Sequence, residues 1–499
     1  MKLSDFPDDI KPYLIPKPNG DMFYRCLGCN KTFGIEKLLY TCPACNQVLL
    51  LYDNHFNSLK DIPGNLWHKI FDYRKMLNLP AVKGIYRFHE FIGSVIPLES
   101  IVYLGEGHTP VIRANKTLEA AAGGPFFFKN DGQNPSASFK DRGMASALSY
   151  IQFLIHSGKL SEVLAICAST GDTSASAALY GSYLTPHIKS AVLLPHKKVT
   201  PQQLSQPLGS GAVVFEIPGV FDDCMKVVES LSSQYKVALL NSKNAWRILG
   251  QESYSYEIAQ EFEYDLADKV IILPIGNAGN LSAVMSGFIK FYEAGIINTL
   301  PKIIGVQSSH ADPVFRYYSE PDPAKRKFVP VAVKPSVAQA AMIGNPVSMP
   351  RIIHLENAYN EFAGKQKVFF VQVEEQSIMD WGLKANRNGH IACTHGGESL
   401  AAFVKARSLG LIDANEVGVI DSTAHAIKFS GFQDMYFQKT IPADFEVSSN
   451  PELINLPVYL RPNDLEKVPE PGKPLEGKDL EIFINRISDE IAAYLKLSK

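Results

Sequence analysis

The chain has 499 residues, 46% apolar and 20% charged, an ordinary globular balance with length enough for a large core and no need of a disulfide framework. Lysine and arginine total 49 against 51 aspartate and glutamate, and the formal net charge of −2 argues against a general nucleic-acid binder. The polar, acidic N-terminus lacks the regions of a secretory signal, and no apolar run reaches the ~18 residues that a membrane span needs, so the expected location is the cytoplasm.

Residues 1–60 read as a small module. Cys26-Leu-Gly-Cys29 and Cys42-Pro-Ala-Cys45 stand twelve residues apart. Each pair bends into a knuckle presenting two thiolates to one cation, and two knuckles complete a tetrahedral four-sulfur shell. Met22–Arg25 and Leu38–Thr41 lead into the knuckles and are predicted strands. Cys26, Cys29, Cys42 and Cys45 are thus expected to hold a structural Zn2+ in a zinc-ribbon-like module. A module this small needs such a staple, and the charge balance favours that role over nucleic-acid contact. Cys167, Cys224 and Cys393 sit in apolar runs and are expected to be buried thiols.

Residues 61–103 have helical and loop character. Residues 104–435 alternate short β-branched runs with amphipathic stretches, which favours parallel sheets covered by helices. The predicted strands are Val163–Ala168, Ala191–Leu194, Ala212–Ile217, Val237–Leu240, Val270–Leu273, Ile303–Val306, Val368–Val373 and Val417–Ile420. Phe221–Gln234 and Leu281–Ala294 are predicted helices between them. That number of strands implies an α/β body of two lobes with a cleft. Asp312–Pro350 is rich in proline and reads as loop and helix. Residues 436–499 form a C-terminal extension, a Pro- and Asn-rich tether followed by an amphipathic helix with Leu480, Phe483, Ile484, Ile487, Ile491 and Leu495 on one stripe, expected to pack on the body.

No GxxxxGK[ST] loop, HExxH pair or GxSxG elbow is present. The most informative stretch is Lys129-Asn-Asp-Gly-Gln-Asn-Pro-Ser-Ala-Ser-Phe-Lys140-Asp-Arg-Gly143. Gly132, Pro135 and Ser138 mark a turn, and a helix is predicted from near Phe139 with Ser136 or Ser138 as its cap. A lysine in the first turn of a helix sits at the unfavourable end of the dipole, which favours the neutral amine that attacks an aldehyde. The pattern by itself also fits a solvated surface lysine.

NPSASFKDRG closely resembles the lysine motif of fold type II pyridoxal-phosphate enzymes, the tryptophan-synthase-β-like family, and within it the threonine synthase branch that includes the plant enzymes. Four segments extend the resemblance in the expected order: LGEGHTP at Leu104–Pro110, ASTGDTSAS at Ala168–Ser176, PIGNAGN at Pro274–Asn280 and STAHAIKF at Ser422–Phe429. The resemblance implies a two-lobed fold with pyridoxal 5'-phosphate as cofactor, and Lys140 as the residue that takes the cofactor's aldehyde and shuttles protons. It implies conversion of O-phospho-L-homoserine and water to L-threonine and phosphate by a small-molecule enzyme, expected to be a homodimer without nucleic-acid or membrane partners.

PIGNAGN joins an apolar strand to a helical run. Glycines let backbone N–H groups approach an oxyanion at a helix N-terminus, so Gly276, Asn277, Ala278, Gly279 and Asn280 are expected to cradle the cofactor phosphate. ASTGDTSAS likewise joins strand to helix, and Ser169 and Thr170 are expected to hold a substrate carboxylate. Many relatives place Asn, a donor to the cofactor's phenolic oxygen, where this chain has Asp172. An ionised acid cannot donate, so Asp172 is expected either protonated or turned away. By the resemblance, Thr423 meets the pyridine nitrogen. The same resemblance gives Asn241-Ser-Lys-Asn-Ala-Trp-Arg247 to the substrate phosphate, through Ser242, Asn244 and Arg247, with Lys129 a further candidate. Open alternatives are a cysteate synthase or threonine dehydratase of the same fold, a non-catalytic paralogue acting as a binding protein, and a zinc-ribbon adaptor.

Overall fold

β-branched runs bounded by turn residues become the strands of two parallel-rich sheets in the computed structural model, and the amphipathic stretches between them become covering helices. The structure describes all residues except Glu162, Thr170, 197–200, Val220, Lys236, 462–464 and Lys499, and leaves out the side chains of Gln202, Gln203, Phe221, Asp222 and Ser233. Residues Met1–Ser448 form one unit and Ser449–Lys499 a second.

The first unit begins with a three-stranded antiparallel sheet of β1 (Met22–Cys26), β2 (Thr32–Gly34) and β3 (Leu49–Asp53), in the order β2-β1-β3. The predicted Met22–Arg25 strand is β1. Leu38–Thr41 forms no strand: it keeps one bridge, Thr41 to Val48, while Leu38 and Leu39 pack on the apolar core instead. Next come β4 (Val111–Arg113), β5 (Phe126–Asn130), β6 (Val163–Ala168), β7 (Ile188–Pro195), β8 (Val213–Ile217) and β9 (Val237–Leu239). The last four are β10 (Lys269–Pro274), β11 (Lys302–Ser308), β12 (Val368–Val373) and β13 (Val417–Ser422). One sheet runs β12-β11-β10-β13-β5-β4, parallel except for the antiparallel β4–β5 pair. The other is fully parallel, β8-β7-β6-β9. All eight predicted body strands are present. β4 and β5 are additional: β5 is built from three phenylalanines rather than β-branched residues, and β4 is a short edge strand.

Strands covered on both faces should read as continuous apolar runs, and they do: Ile271, Ile272 and Leu273 of β10 are fully buried. Parallel strands share a direction, so their C-terminal ends gather along one rim, where open α/β sheets bind ligands. The loops after β5, β6, β9, β10 and β13 carry the segments singled out above. The stretch Asp312–Pro350 holds helical turns and no strand.

In the second unit the predicted amphipathic helix forms as Gly477–Leu495. None of its residues is buried: Ile484 is 50% and Leu495 58% exposed. No helix among the described residues is long and apolar enough to cross a membrane.

Candidate active site

Lys140 opens the helix Lys140–His156, with Phe139 as the cap residue. Neither predicted serine caps it through a strong side-chain bond. Ser138 Oγ accepts from the Lys140 N–H at only 3.4 Å, and Ser136 Oγ turns to Asp141 Oδ1 at 2.6 Å. The turn is held instead by the STAHAIKF segment: Phe139 N–H donates to the Thr423 carbonyl at 2.8 Å and His425 N–H to the Ala137 carbonyl at 3.1 Å. Beneath it lies a buried ionic cluster. Arg142 meets Asp131 at 2.7 Å and Glu257 at 2.8 Å, and Lys129 meets Glu257 at 2.7 Å. Burial pushes the Glu257 carboxyl up, but Arg142 and Lys129 outweigh it and hold it well below the usual range. This locks Lys129 in place. Its ammonium binds Glu257 and the Thr109 carbonyl, and it is not among the residues that line the cavity.

The Lys140 ammonium lies 4.0 Å from the Phe139 ring centroid and borders a cavity at the strand rim. Burial, then the nearby Arg247 guanidinium, lowers its pKa to about 7. A large share of this lysine is therefore a neutral nucleophile near neutral pH.

The same cavity is bordered by Gly276–Asn280, in the loop between β10 and the helix Gly279–Glu293. Ala278 takes a left-handed backbone (φ 66°) and the Asn277 carbonyl accepts from Ser348 N–H, which turns the loop around the helix N-terminus. A Cβ at Gly276 would come within 3.1 Å of Ala341 Cα, so a side chain there would press on the 338–343 segment. Asn280 Nδ2 donates to Asp421 Oδ2 at 2.9 Å, while its buried Oδ1 has no partner among the described residues. A narrow glycine cradle at the end of a fifteen-residue helix suits a phosphate group.

Ser169 and Asp172 border the cavity from the end of β6. Thr170 lies outside the described residues. Asp172 forms an ion pair with Lys428 at 2.7 Å, both side chains nearly buried, and Lys428 also donates to the Ser136 carbonyl. The acid is thus neutralised by a partner, an option the sequence reading did not weigh. Thr423 borders the cavity from the end of β13, its Oγ1 3.9 Å from Cys393 Sγ. His395, to which the motifs gave no role, is also on the cavity wall. Burial lowers its pKa to about 4, and its neutral Nε2 accepts the Ala340 N–H at 3.1 Å, pinning the 338–343 segment.

The opposite wall holds Ser242 and Arg247. Arg247 lies on the helix Ala245–Gln251, which packs tightly on the Lys140 helix: a Cβ at Gly250 would fall 2.3 Å from the Arg142 carbonyl oxygen. Arg247 is 1% exposed, and NH1 donates to the Leu240 carbonyl at 3.1 Å. Its Nε has no partner among the described residues, and burial lowers its pKa to about 10, still charged at neutral pH. Such an uncompensated buried cation invites an anion. Asn244 is not among the residues that line the cavity: its Oδ1 caps the helix by accepting Trp246 N–H, and its Nδ2 donates to the Leu239 carbonyl.

In the antiparallel module, the sulfur atoms of Cys26, Cys29, Cys42 and Cys45 lie within 4.8 Å of one another. Backbone N–H groups of Gly28, Cys29 and Ala44 point at Cys26 and Cys42 sulfur, which favours thiolates. Four converging sulfurs are the donor set of a closed structural zinc site.

A family model described as pyridoxal-phosphate dependent enzyme matches residues 102–422. A threonine synthase of Methanocaldococcus jannaschii is 32% identical over 410 residues, 82% of this chain and 93% of that relative. Threonine synthase 2, chloroplastic, of Arabidopsis thaliana is 31% identical over 414 residues, 82% of this chain and 77% of that relative. In the crystal structure of threonine synthase from Escherichia coli the same fold recurs at 19% identity, with a TM-score of 0.62 over 87% of this chain and 92% of the other.

Proposed function

Since this chain belongs to the pyridoxal-phosphate dependent enzyme family, we propose that it is a threonine synthase, converting O-phospho-L-homoserine and water to L-threonine and phosphate. The observation that carries this reading is the unpaired, buried Arg247 guanidinium on the same cavity as Lys140. A threonine dehydratase has no second phosphate to hold. The residues at the rim fit the cofactor: an amine lowered to about 7, a glycine cradle at a helix end and an unpartnered Asn280 oxygen. In this proposal Lys140 takes the cofactor's aldehyde, Gly276, Asn277, Ala278, Gly279 and Asn280 hold its phosphate, and Thr423 meets its ring nitrogen.

Pyridoxal phosphate supplies an electron sink that lets protons leave the carbons beside the substrate amine. Lys140 removes the proton from Cα, a second proton leaves Cβ so that its electron pair expels the γ-phosphate, a proton is delivered to Cγ, and Lys140 finally returns one to Cα. Ser169 and Thr170 hold the substrate carboxylate, which orients the Cα–H bond toward Lys140. Ser242 and Arg247 bind the γ-phosphate and stabilise it as it leaves with the C–O electron pair. Water then adds at Cβ. A closed rim keeps other water from diverting the reaction.

Zn2+ on Cys26, Cys29, Cys42 and Cys45, cytoplasmic residence and a homodimer belong to the same proposal. The test is phosphate release and threonine formation from O-phospho-L-homoserine, with O-phosphoserine plus sulfite as control pair. The wild-type enzyme is expected to turn over the first substrate alone, and Lys140→Ala to lose turnover and covalently held cofactor. Threonine formation by Lys140→Ala overturns the assignment.

A further inference from the structure

Three contacts from the cysteine ribbon converge on residues 237–247, the segment that carries Ser242 and Arg247. The first runs through Arg351. Leu49 stands opposite the ligand residue Cys26 in the β1–β3 register, and β3 is an edge strand whose outward carbonyls need partners. The Leu49 carbonyl accepts from Arg351 Nε at 3.1 Å and from NH2 at 2.8 Å. The same guanidinium donates to the Ser242 carbonyl at 2.8 Å, the Lys243 carbonyl at 2.9 Å and Ser348 Oγ at 3.0 Å. Arg351 is fully buried, and these bonds use all five donors of its fork.

The second contact is Trp246. Its Nε1–H donates to Tyr24 of β1 at 3.0 Å, and its ring stacks on Tyr150 with centroids 4.2 Å apart. Tyr150 in turn donates to the ribbon's Ile35 carbonyl at 2.6 Å. The third is Tyr40, whose hydroxyl donates to the Val237 carbonyl at 3.4 Å. The loop they grip follows β9, a three-residue edge strand. Sheet pairing alone does little to fix where that loop stands.

We propose that the ribbon is an internal clamp that sets the position of the anion-binding loop, with Arg351 as the positioning residue that ties the cysteine cluster to Ser242. The proposal rests on the threonine synthase reading of the cavity. It gives the ribbon a role in substrate affinity, exerted through the segment that carries Ser242 and Arg247.

The experiment uses the holoenzyme with inorganic phosphate as the calorimetric probe, alongside KM and kcat for O-phospho-L-homoserine and the absorbance of the bound cofactor. Arg351→Lys keeps the charge but cannot span Leu49, Ser242 and Lys243 with one ammonium. It is expected to weaken phosphate binding and raise KM about tenfold, with kcat and absorbance within about twofold. Tyr24→Phe removes the acceptor for Trp246 and the 3.3 Å donor to the Tyr150 hydroxyl, and is expected to raise KM about threefold, so it decides the question if Arg351→Lys does not fold. Unchanged phosphate affinity and KM in the folded variants, or kcat and absorbance falling with them, overturns the clamp. A wild-type holoenzyme that binds phosphate but makes no threonine overturns the reaction reading, and phosphate affinity in the variants then decides the clamp by itself.

Discussion

Lys428 Nζ lies 2.7 Å from Asp172 Oδ1, with the two side chains only 6% and 4% exposed. Lys428 comes from the turn Ala426–Phe429 and Asp172 from the first position of the helix Asp172–Tyr183. The carboxylate therefore gains both a cation and the favourable end of a helix dipole.

Removing one partner of a buried pair leaves a bare charge, which costs about 3–5 kcal/mol. Lys428→Met is expected to be destabilised on that scale, and the double variant Asp172→Asn/Lys428→Met to regain most of the loss. Chemical denaturation of the four proteins in the cycle measures this. Additive losses would mean that the pair is uncoupled.

Arg247→Met removes the unpaired guanidinium but keeps the volume of the helix face. It is expected to raise KM for O-phospho-L-homoserine about a hundredfold, the scale of lost charge-assisted bonds, while the cofactor absorbance stays. Loss of the cofactor in this variant would place the arginine at the wrong phosphate.

Lys140 is lowered to about 7, first by burial and then by Arg247. Below that value the amine is protonated and cannot attack an aldehyde. Capture of pyridoxal phosphate by the apoenzyme should therefore speed up from about pH 6 to about pH 8 and then level off, followed by stopped-flow absorbance. In Arg247→Met the midpoint should move upward, since a like charge is gone. A flat profile would contradict the low amine pKa.

Burial pushes the Glu106 carboxyl up to about 8, although Leu104 N–H and Tyr180 hydroxyl both donate to its Oε2. A carboxyl raised in the folded state adds stability at low pH and loses it as pH rises from the ordinary carboxylate range through 8. Glu106→Gln should gain stability relative to the wild type as pH rises from about 5.5 to about 8.5, by differential scanning calorimetry of both proteins. Equal slopes would remove Glu106 as the cause.

Cys42→Ser takes one of the four sulfurs that lie within 4.8 Å of each other. The wild type is expected to carry about one zinc per chain by plasma mass spectrometry, and the variant far less, with a melting temperature lower by about 5 °C or more. Full zinc occupancy in the variant would mean that the sulfurs are not the ligands.

What could be read from the chain beforehand is local in sequence. The cysteine pairs, the lysine turn and PIGNAGN each set up their own backbone, so spacing and residue type reveal them, and β6 and β12 match their predicted spans to the residue. Groups whose role depends on distant partners were hidden or misplaced. The carboxylate partner of Lys129, Glu257, is 128 residues away and carries no local signal. Asn244 looked like a ligand and is a helix cap. Lys428 sits inside a recognised segment, but only the folded chain brings it to Asp172. Arg351 and His395 carry no motif at all, and their jobs follow from the carbonyl and N–H groups they meet.

Arg351 also bears on how the chain is made. The ribbon ends at Asp53, yet the guanidinium that covers its Leu49 edge belongs to a helix starting at Met349. A ribosome adding about 5–20 residues per second needs on the order of 15–60 s to bridge those ~300 residues. Throughout that interval the newborn N-terminal sheet carries its Leu49 edge without the arginine that later covers it, leaving that flank to water or to another strand.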